Sequence, residues 1–154
     1  RIFFNRGCVE EALQSGAGPD EDGLSTTRAI VITDPGMVKC GHVDRLIEAL
    51  RKIGHTVDVF SAVSPDPNMD CIRRGVKACE AFRPDIMFCL GGGSPIDAGK
   101  FIRVQYEHPE LTVEQASTRF IELRKRTQPF PRLGSMIRKL VAIPTTSGTG
   151  SEVS

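Results

Sequence analysis

The chain lacks any Cys-x-x-Cys pair, any His-x₃-His or His-Glu-x-x-His spacing, an excess of either charge, and any apolar run of membrane-spanning length. Each absence removes a class of function. Cys8, Cys40, Cys71, Cys79 and Cys89 are odd in number and scattered, which argues against a disulfide framework or a zinc knuckle; most read as small apolar core residues of a reducing compartment. His42, His55 and His108 are spread along the sequence, so no metal site made of this chain alone is expected. Twenty basic and nineteen acidic residues leave a net charge of +1. No broad basic surface recommends nucleic acid, no acidic tail suggests a basic partner, and Arg124-Lys125-Arg126 reads as a solvated helix face. No apolar stretch approaches the roughly 18 residues of a membrane span. Gly148-Thr149-Gly150-Ser151-Glu152 is not the G-x-S-x-G of a hydrolase elbow, and no Ser, His and Asp set accompanies it.

What is present is an ordinary globular composition: 154 residues, 40% hydrophobic and 25% charged. That length buries one good core, so a single domain is expected. The sequence opens on Arg1 with no signal-peptide pattern, and we read it as a piece of a longer protein.

The organising stretch is 86–100. An apolar run, Ile86 to Leu90, empties into Gly91-Gly92-Gly93-Ser94, and Pro95 reads as the opening of a helix that places Asp97 in its first turn. Glycines remove the Cβ atoms that would hold an anion off the backbone, and a helix N-terminus points N–H groups and a positive dipole end at the turn. Such a turn suits a phosphate, although a ligand-free connection would show the same glycines. Two familiar phosphate loops fail here. A Walker A loop ending at Gly99-Lys100 would need glycine at Ser94 and a hydroxyl residue at Phe101. The dinucleotide fingerprint starts correctly at Gly91 and Gly93 but has Ile96 in place of its third glycine.

Taken in order, Ile2-Phe3-Phe4 reads as a strand, 8–14 as a brief helix and 15–27 as a surface loop. Ala29-Ile30-Val31-Ile32 reads as a strand buried on both faces and broken by Asp34-Pro35-Gly36. Apolar residues at 43, 46, 47, 50 and 53 predict one helix over about 38–53, ending at Gly54. Thr56-Val57-Asp58-Val59-Phe60 alternates like a strand nearer an edge. Pro65-Asp66-Pro67-Asn68 reads as a turn capping a helix with Ile72, Val76, Cys79 and Phe82 inward, ended by Arg83-Pro84. Helix follows the glycine turn to about Glu107; a capping box at Thr112-Val113-Glu114-Gln115 opens another; Lys139 to Ile143 is a last buried strand. This alternation predicts an α/β fold with a doubly wound, mostly parallel sheet. Ligands in such sheets sit beyond the carboxyl ends of the strands, so Asp34, the Pro65 turn, the triple glycine and the run Thr145-Thr146-Ser147-Gly148-Thr149 should converge on one cleft.

Asp34 is placed to accept the hydroxyls of an adenosine ribose and to repel a 2′-phosphate, or else is simply a turn aspartate. The hydroxyls at 145–149 suit the nicotinamide side of a dinucleotide, or a plain polar loop. Asp97 either favours the helix dipole or helps hold cofactor or substrate. Lys100 reads as a surface or phosphate-steering cation.

Gly-Gly-Gly-Ser-Pro-Ile-Asp at 91–97 and Ile-Pro-Thr-Thr-Ser-Gly-Thr-Gly-Ser-Glu-Val at 143–153 resemble the two cofactor motifs of the iron-dependent (group III) alcohol dehydrogenases. Tyr106-Glu107-His108-Pro109-Glu110 and Ile121-Glu122-Leu123-Arg124-Lys125-Arg126 are similar to the alcohol dehydrogenase half of bifunctional aldehyde–alcohol dehydrogenases. The resemblance implies a Rossmann-like, NAD-binding domain over 1–154. In it Asp34 holds the adenine ribose, Asp66 lines the cofactor, Gly92, Gly93, Ser94, Pro95, Ile96 and Asp97 surround the pyrophosphate, and Thr145, Thr146, Ser147, Gly148 and Thr149 meet the nicotinamide end. It also implies Fe²⁺ held by a helical domain beyond residue 154, an aldehyde or alcohol substrate whose carbonyl the metal polarises, a cytoplasmic location (or an organelle matrix if a targeting peptide precedes the chain), and homo-oligomers that are possibly filamentous. Other readings are a glycerol dehydrogenase-like or dehydroquinate synthase-like relative, a filament assembly module, and a nucleotide-triphosphate enzyme, which the failed Walker pattern weakens.

Overall fold

The computed structural model describes residues 7–9, 11, 13, 28–111 and 131–153. The expected strand at 2–4, the loop at 15–27, the capping box at 112–115 and the helix it opens lie outside them. Four strands, β1 (Arg28–Ile32), β2 (Thr56–Phe60), β3 (Ile86–Gly91) and β4 (Lys139–Pro144), form one parallel sheet in the order β2-β1-β3-β4. Ile32 lies in register with Phe60 on one side and Cys89 on the other, and Gly91 with Pro144.

The two central strands are apolar from Ala29 and from Ile86 onward because both of their faces are covered. Ala29, Val31, Ile86, Phe88 and Leu90 pack with Val43, Leu46 and Leu50 of α2 (His42–Lys52). The alternate residues, Ile30, Ile32, Met87 and Cys89, pack with Ile72 and Cys79 of α3 (Met69–Phe82) and with Ile96, Ala98 and Ile102 of α4 (Gly93–Glu107). Period-two strands between period-3.6 helices on either side make the doubly wound arrangement. β2 is the edge strand its alternation suggested, with only Phe60 buried. Among the described residues no helix is long and apolar enough to cross a membrane.

Two helix boundaries differ from expectation. Residues 38–53 are not one helix: α1 (Pro35–Lys39) is a separate short helix capped by Asp34, and α2 starts only after Gly41, whose φ of +72° reverses the chain. The periodic apolar residues lie in α2 or, for Ile53, at its C-cap, while Val38 is exposed. Helix α4 begins at Gly93, two residues before Pro95, so Asp97 falls in the second turn instead of the first. Pro95 remains in the first turn, where its missing N–H costs nothing.

Close packing explains two glycines away from the turn. A Cβ on Gly99 would collide with Cys89 Sγ and one on Gly75 with the Ile102 side chain, so α4 lies against β3 and against α3 at distances only glycine permits. Cys71, Cys79 and Cys89 are core residues as read from sequence, whereas Cys40 is exposed. Burial pushes the Cys79 thiol up to about 12, helped by the charges of Asp58 and Glu80, and takes Cys89 equally high despite Lys100 and Arg103 nearby. Both are unreactive packing groups.

At the other end of α4, Glu107 organises the approach to β4. Its side chain is fully shielded from solvent and accepts from the N–H groups of Gly134 (2.6 Å) and Ser135 (2.9 Å), from Ser135 Oγ (3.0 Å) and from Arg103 Nε (3.1 Å).

Candidate cofactor site

Chain direction divides at the carboxyl edge of the sheet. After β1 the chain turns out toward β2, and after β3 it turns the other way toward β4, so the gap between the ends of β1 and β3 is the switch point where such sheets take their ligands. A cleft of about 460 Å³ opens there, within the ~300–1,000 Å³ typical of small-molecule sites. Asp34, Pro65, Gly92, Gly93, Ser94 and Thr146 line it. All four strand ends singled out from sequence therefore contribute to one wall or another.

The three glycines do separate jobs. Gly91 has φ +145°, and a Cβ there would lie 2.7 Å from Pro95 Cγ and 3.0 Å from Asp34 Oδ2. A Cβ on Gly92 would lie 3.3 Å from Thr146 Oγ1, and one on Gly93 3.2 Å from Ser151 Oγ and 3.4 Å from Thr149 Cβ. The glycine turn is thus hemmed by the Asp34 carboxylate on one side and by the threonine loop on the other. Thr145 N–H donates to Gly91 O at 2.9 Å, the last link between β4 and the turn.

The helix ends at this edge differ in a way that matters for anions. Asp34 Oδ1 accepts from the N–H groups of Gly36 (2.7 Å) and Met37 (3.1 Å), and Asn68 Oδ1 accepts from Cys71 N–H (3.0 Å), so α1 and α3 are capped by their own side chains. The residue before helix α4, at its N-cap, is Gly92, which has no side chain to cap it. The N–H groups of Gly93 and Ser94 therefore have no intrahelical partner and sit at a positive dipole end bordering the cleft. Both halves of the phosphate argument are present, donors and open space.

Not every residue singled out reaches the cleft. Asp66 is exposed beside it with φ +49°, a left-handed conformation that aspartate tolerates better than most residues. Thr145, Ser147, Gly148 and Thr149 are exposed on the loop that carries Thr146. Ile96 is fully buried beneath the turn. Asp97 bonds with its neighbours: Ser151 Oγ donates to Oδ2 at 3.0 Å, and Lys100 Nζ approaches Oδ1 at 3.4 Å. Ser151, only 6% exposed, is the residue that sequence reasoning passed over. Its one signal was a hydroxyl following the Gly-Thr-Gly run, which reads as more polar loop.

Fold and cleft together define a Rossmann-like α/β domain with an uncapped, glycine-lined helix start at its switch point. Residues 1–154 match the family model described as iron-containing alcohol dehydrogenase, and the chain belongs to that family. It is 40% identical over 152 residues to the bifunctional aldehyde-alcohol dehydrogenase AdhE of Escherichia coli K12, covering 99% of this chain and 16% of that protein. It is 44% identical over 128 residues to the aldehyde-alcohol dehydrogenase of Streptococcus pneumoniae serotype 4, covering 82% of this chain and 14% of the other. Among solved structures, the iron-containing alcohol dehydrogenase of Thermococcus thioreducens superposes with a TM-score of 0.72 at 26% identity, over 95% of this chain and 35% of that one. The chain spans about one sixth of the length of these curated relatives.

Proposed function

We propose that the chain is the cofactor-binding part of an NAD-linked alcohol dehydrogenase that interconverts acetaldehyde and ethanol, within a bifunctional enzyme that takes acetyl-CoA through acetaldehyde to ethanol. The observation that carries this reading is the shared cleft: the carboxylate of Asp34, the uncapped start of α4 and the hydroxyl of Thr146 line one space at the switch point. The identity to aldehyde-alcohol dehydrogenases supports the finer part of the reading.

The cradle fits a dinucleotide, since three successive residues lack the Cβ atoms that would fill it. A bound nicotinamide supplies or accepts the hydride. The chain's residues do the holding. Asp34 keeps Oδ1 on its helix and leaves Oδ2 facing the glycine turn, where it can accept from a ribose hydroxyl and disfavour a 2′-phosphate. The N–H groups of Gly93 and Ser94 take the pyrophosphate. Thr146 and its loop extend toward the nicotinamide end. Iron is different: among the described residues no group of three or more His, Cys, Asp or Glu side chains gathers as a metal ion requires. No chemical step is assigned to iron through these residues.

A titration of the complete protein tests the proposal. NADH should bind with quenched protein fluorescence or enhanced nicotinamide fluorescence, and ADP-ribose should compete. Binding of ATP with magnesium but not of NADH would overturn it.

A further inference from the structure

Ser151 sits where three parts of the site meet. Its hydroxyl donates to Asp97 Oδ2 at 3.0 Å, its backbone N–H donates to Thr149 Oγ1 at 3.4 Å, and its Oγ occupies the space a Gly93 Cβ would need, 3.2 Å away. The residue is 94% buried in an otherwise exposed loop, whose members 145–149 all face solvent. Beyond it the chain turns, with Val153 N–H donating to Gly150 O at 3.1 Å. The link runs from the second turn of α4, through one serine, to the threonine loop.

We infer that Ser151 is a positioning residue: with Asp97 it forms a clasp that fixes the threonine loop against the glycine turn, and so sets the affinity for the nicotinamide half of the cofactor. This rests on the dinucleotide reading above. It gives Asp97 a task within the chain: it does not line the cleft, and its two oxygens face Ser151 and Lys100. At 3.0 Å the Ser151–Asp97 contact is an ordinary hydroxyl–carboxylate bond, and its importance lies in joining the loop to α4. It also fits the pattern of glycines: a Cβ on Gly93 would press on the clasp, 3.2 Å from Ser151 Oγ.

The inference predicts selectivity between ligands. ADP-ribose needs only the Asp34 side of the cleft and the glycine turn, whereas NADH also needs the threonine loop. In the complete protein, Ser151→Ala should weaken NADH about tenfold while leaving ADP-ribose within about twofold, and Ser151→Thr, which keeps the hydroxyl, should restore most of the loss. Asp97→Ala should show the same selectivity, and the double variant should lose no more than either single change. Equal loss of both ligands would mark a general packing defect, and unchanged NADH binding in Ser151→Ala would mean no role. Additive losses in the double variant would show that the two residues act separately. Each of these three results overturns the clasp. Failure of the unaltered protein to bind NADH at all would instead sink the dinucleotide reading beneath it.

Discussion

Thr33 Oγ1 donates to the carbonyl of Leu90 at 2.9 Å, tying the end of β1 to the end of β3 immediately beneath the cleft. Thr33 is completely buried, its own N–H donates to Phe60 O at 2.9 Å, and its carbonyl accepts from Val63 N–H at 3.3 Å. One residue thus joins the exits of three strands at the point where the sheet divides. A buried hydroxyl satisfied in this way contributes modestly to stability and more to local geometry. Replacing it with valine keeps the shape and removes the tie. Thr33→Val should lower unfolding free energy by about 1 kcal/mol and weaken NADH, both readable from urea denaturation and a fluorescence titration of the same sample. Unchanged cofactor affinity would show that the strand ends hold their spacing without the bond.

Asp34 has two tasks that different variants can separate. Its Oδ1 caps α1 and its Oδ2 faces Gly91. Asp34→Asn keeps a good cap and discards the charge, so stability should hold while the preference for NADH over NADPH falls. Asp34→Ala discards both and should cost about 1 kcal/mol as well. Melting temperature and the ratio of the two dissociation constants give the answer. A preference unchanged in both variants would remove Asp34 from the ribose site.

Gly99 is a packing glycine. Adding a methyl group forces α4 away from Cys89 Sγ in a core with little slack. Gly99→Ala should cost about 1–3 kcal/mol, and the additional change Cys89→Ala should recover part of the loss by opening the space. Denaturant midpoints of the single and double variants decide it; no recovery in the double variant would place the strain elsewhere.

Glu107 makes part of the stability depend on pH. Burial pushes its carboxyl up, but the N–H groups of Gly134 and Ser135, the Arg103 guanidinium and the Ser135 hydroxyl outweigh that and hold it below the ordinary value of 4.5. A carboxyl depressed in the folded state stabilises fully above its unfolded value, and that stabilisation is lost as pH falls through the folded value. Acid titration below 4.5 should therefore release the loop into β4. Glu107→Gln should be about 1–3 kcal/mol less stable than the parent at neutral pH and should converge with it in acid. Parallel stability curves across the whole range would contradict this.

The strands were legible because β1, β3 and β4 carry continuous apolar runs and the order of elements left few topologies open, although β4, expected to be buried, is only half-buried at the outside of the sheet. The cleft was legible for a similar reason: strand ends in a parallel sheet must lie together, so Asp34, the glycine turn and Thr146 could be grouped before any distance was known. What escaped the sequence was tertiary in origin. The helix was extended back to 38 although the apolar spacing begins only at Val43, and nothing local revealed that the backbone turns left-handed at Gly41. The partners that require Gly75 and Gly99 lie on other elements. Glu107 read only as the end of a helix because its donors come mostly from residues 134–137, and Ser151 read as loop because its acceptor lies 54 positions earlier.

On the reading proposed above, in which Asp34 both caps α1 and meets the ribose, the choice of cofactor is constrained at this position. A lineage moving toward the phosphorylated dinucleotide could not then simply discard the acid, because most replacements would also loosen α1. The open route passes through short neutral caps, asparagine, serine or threonine, which shed charge without shedding structure. Redox partnership and thermal resilience are therefore linked traits at this position, and selection on one will leave a trace in the other.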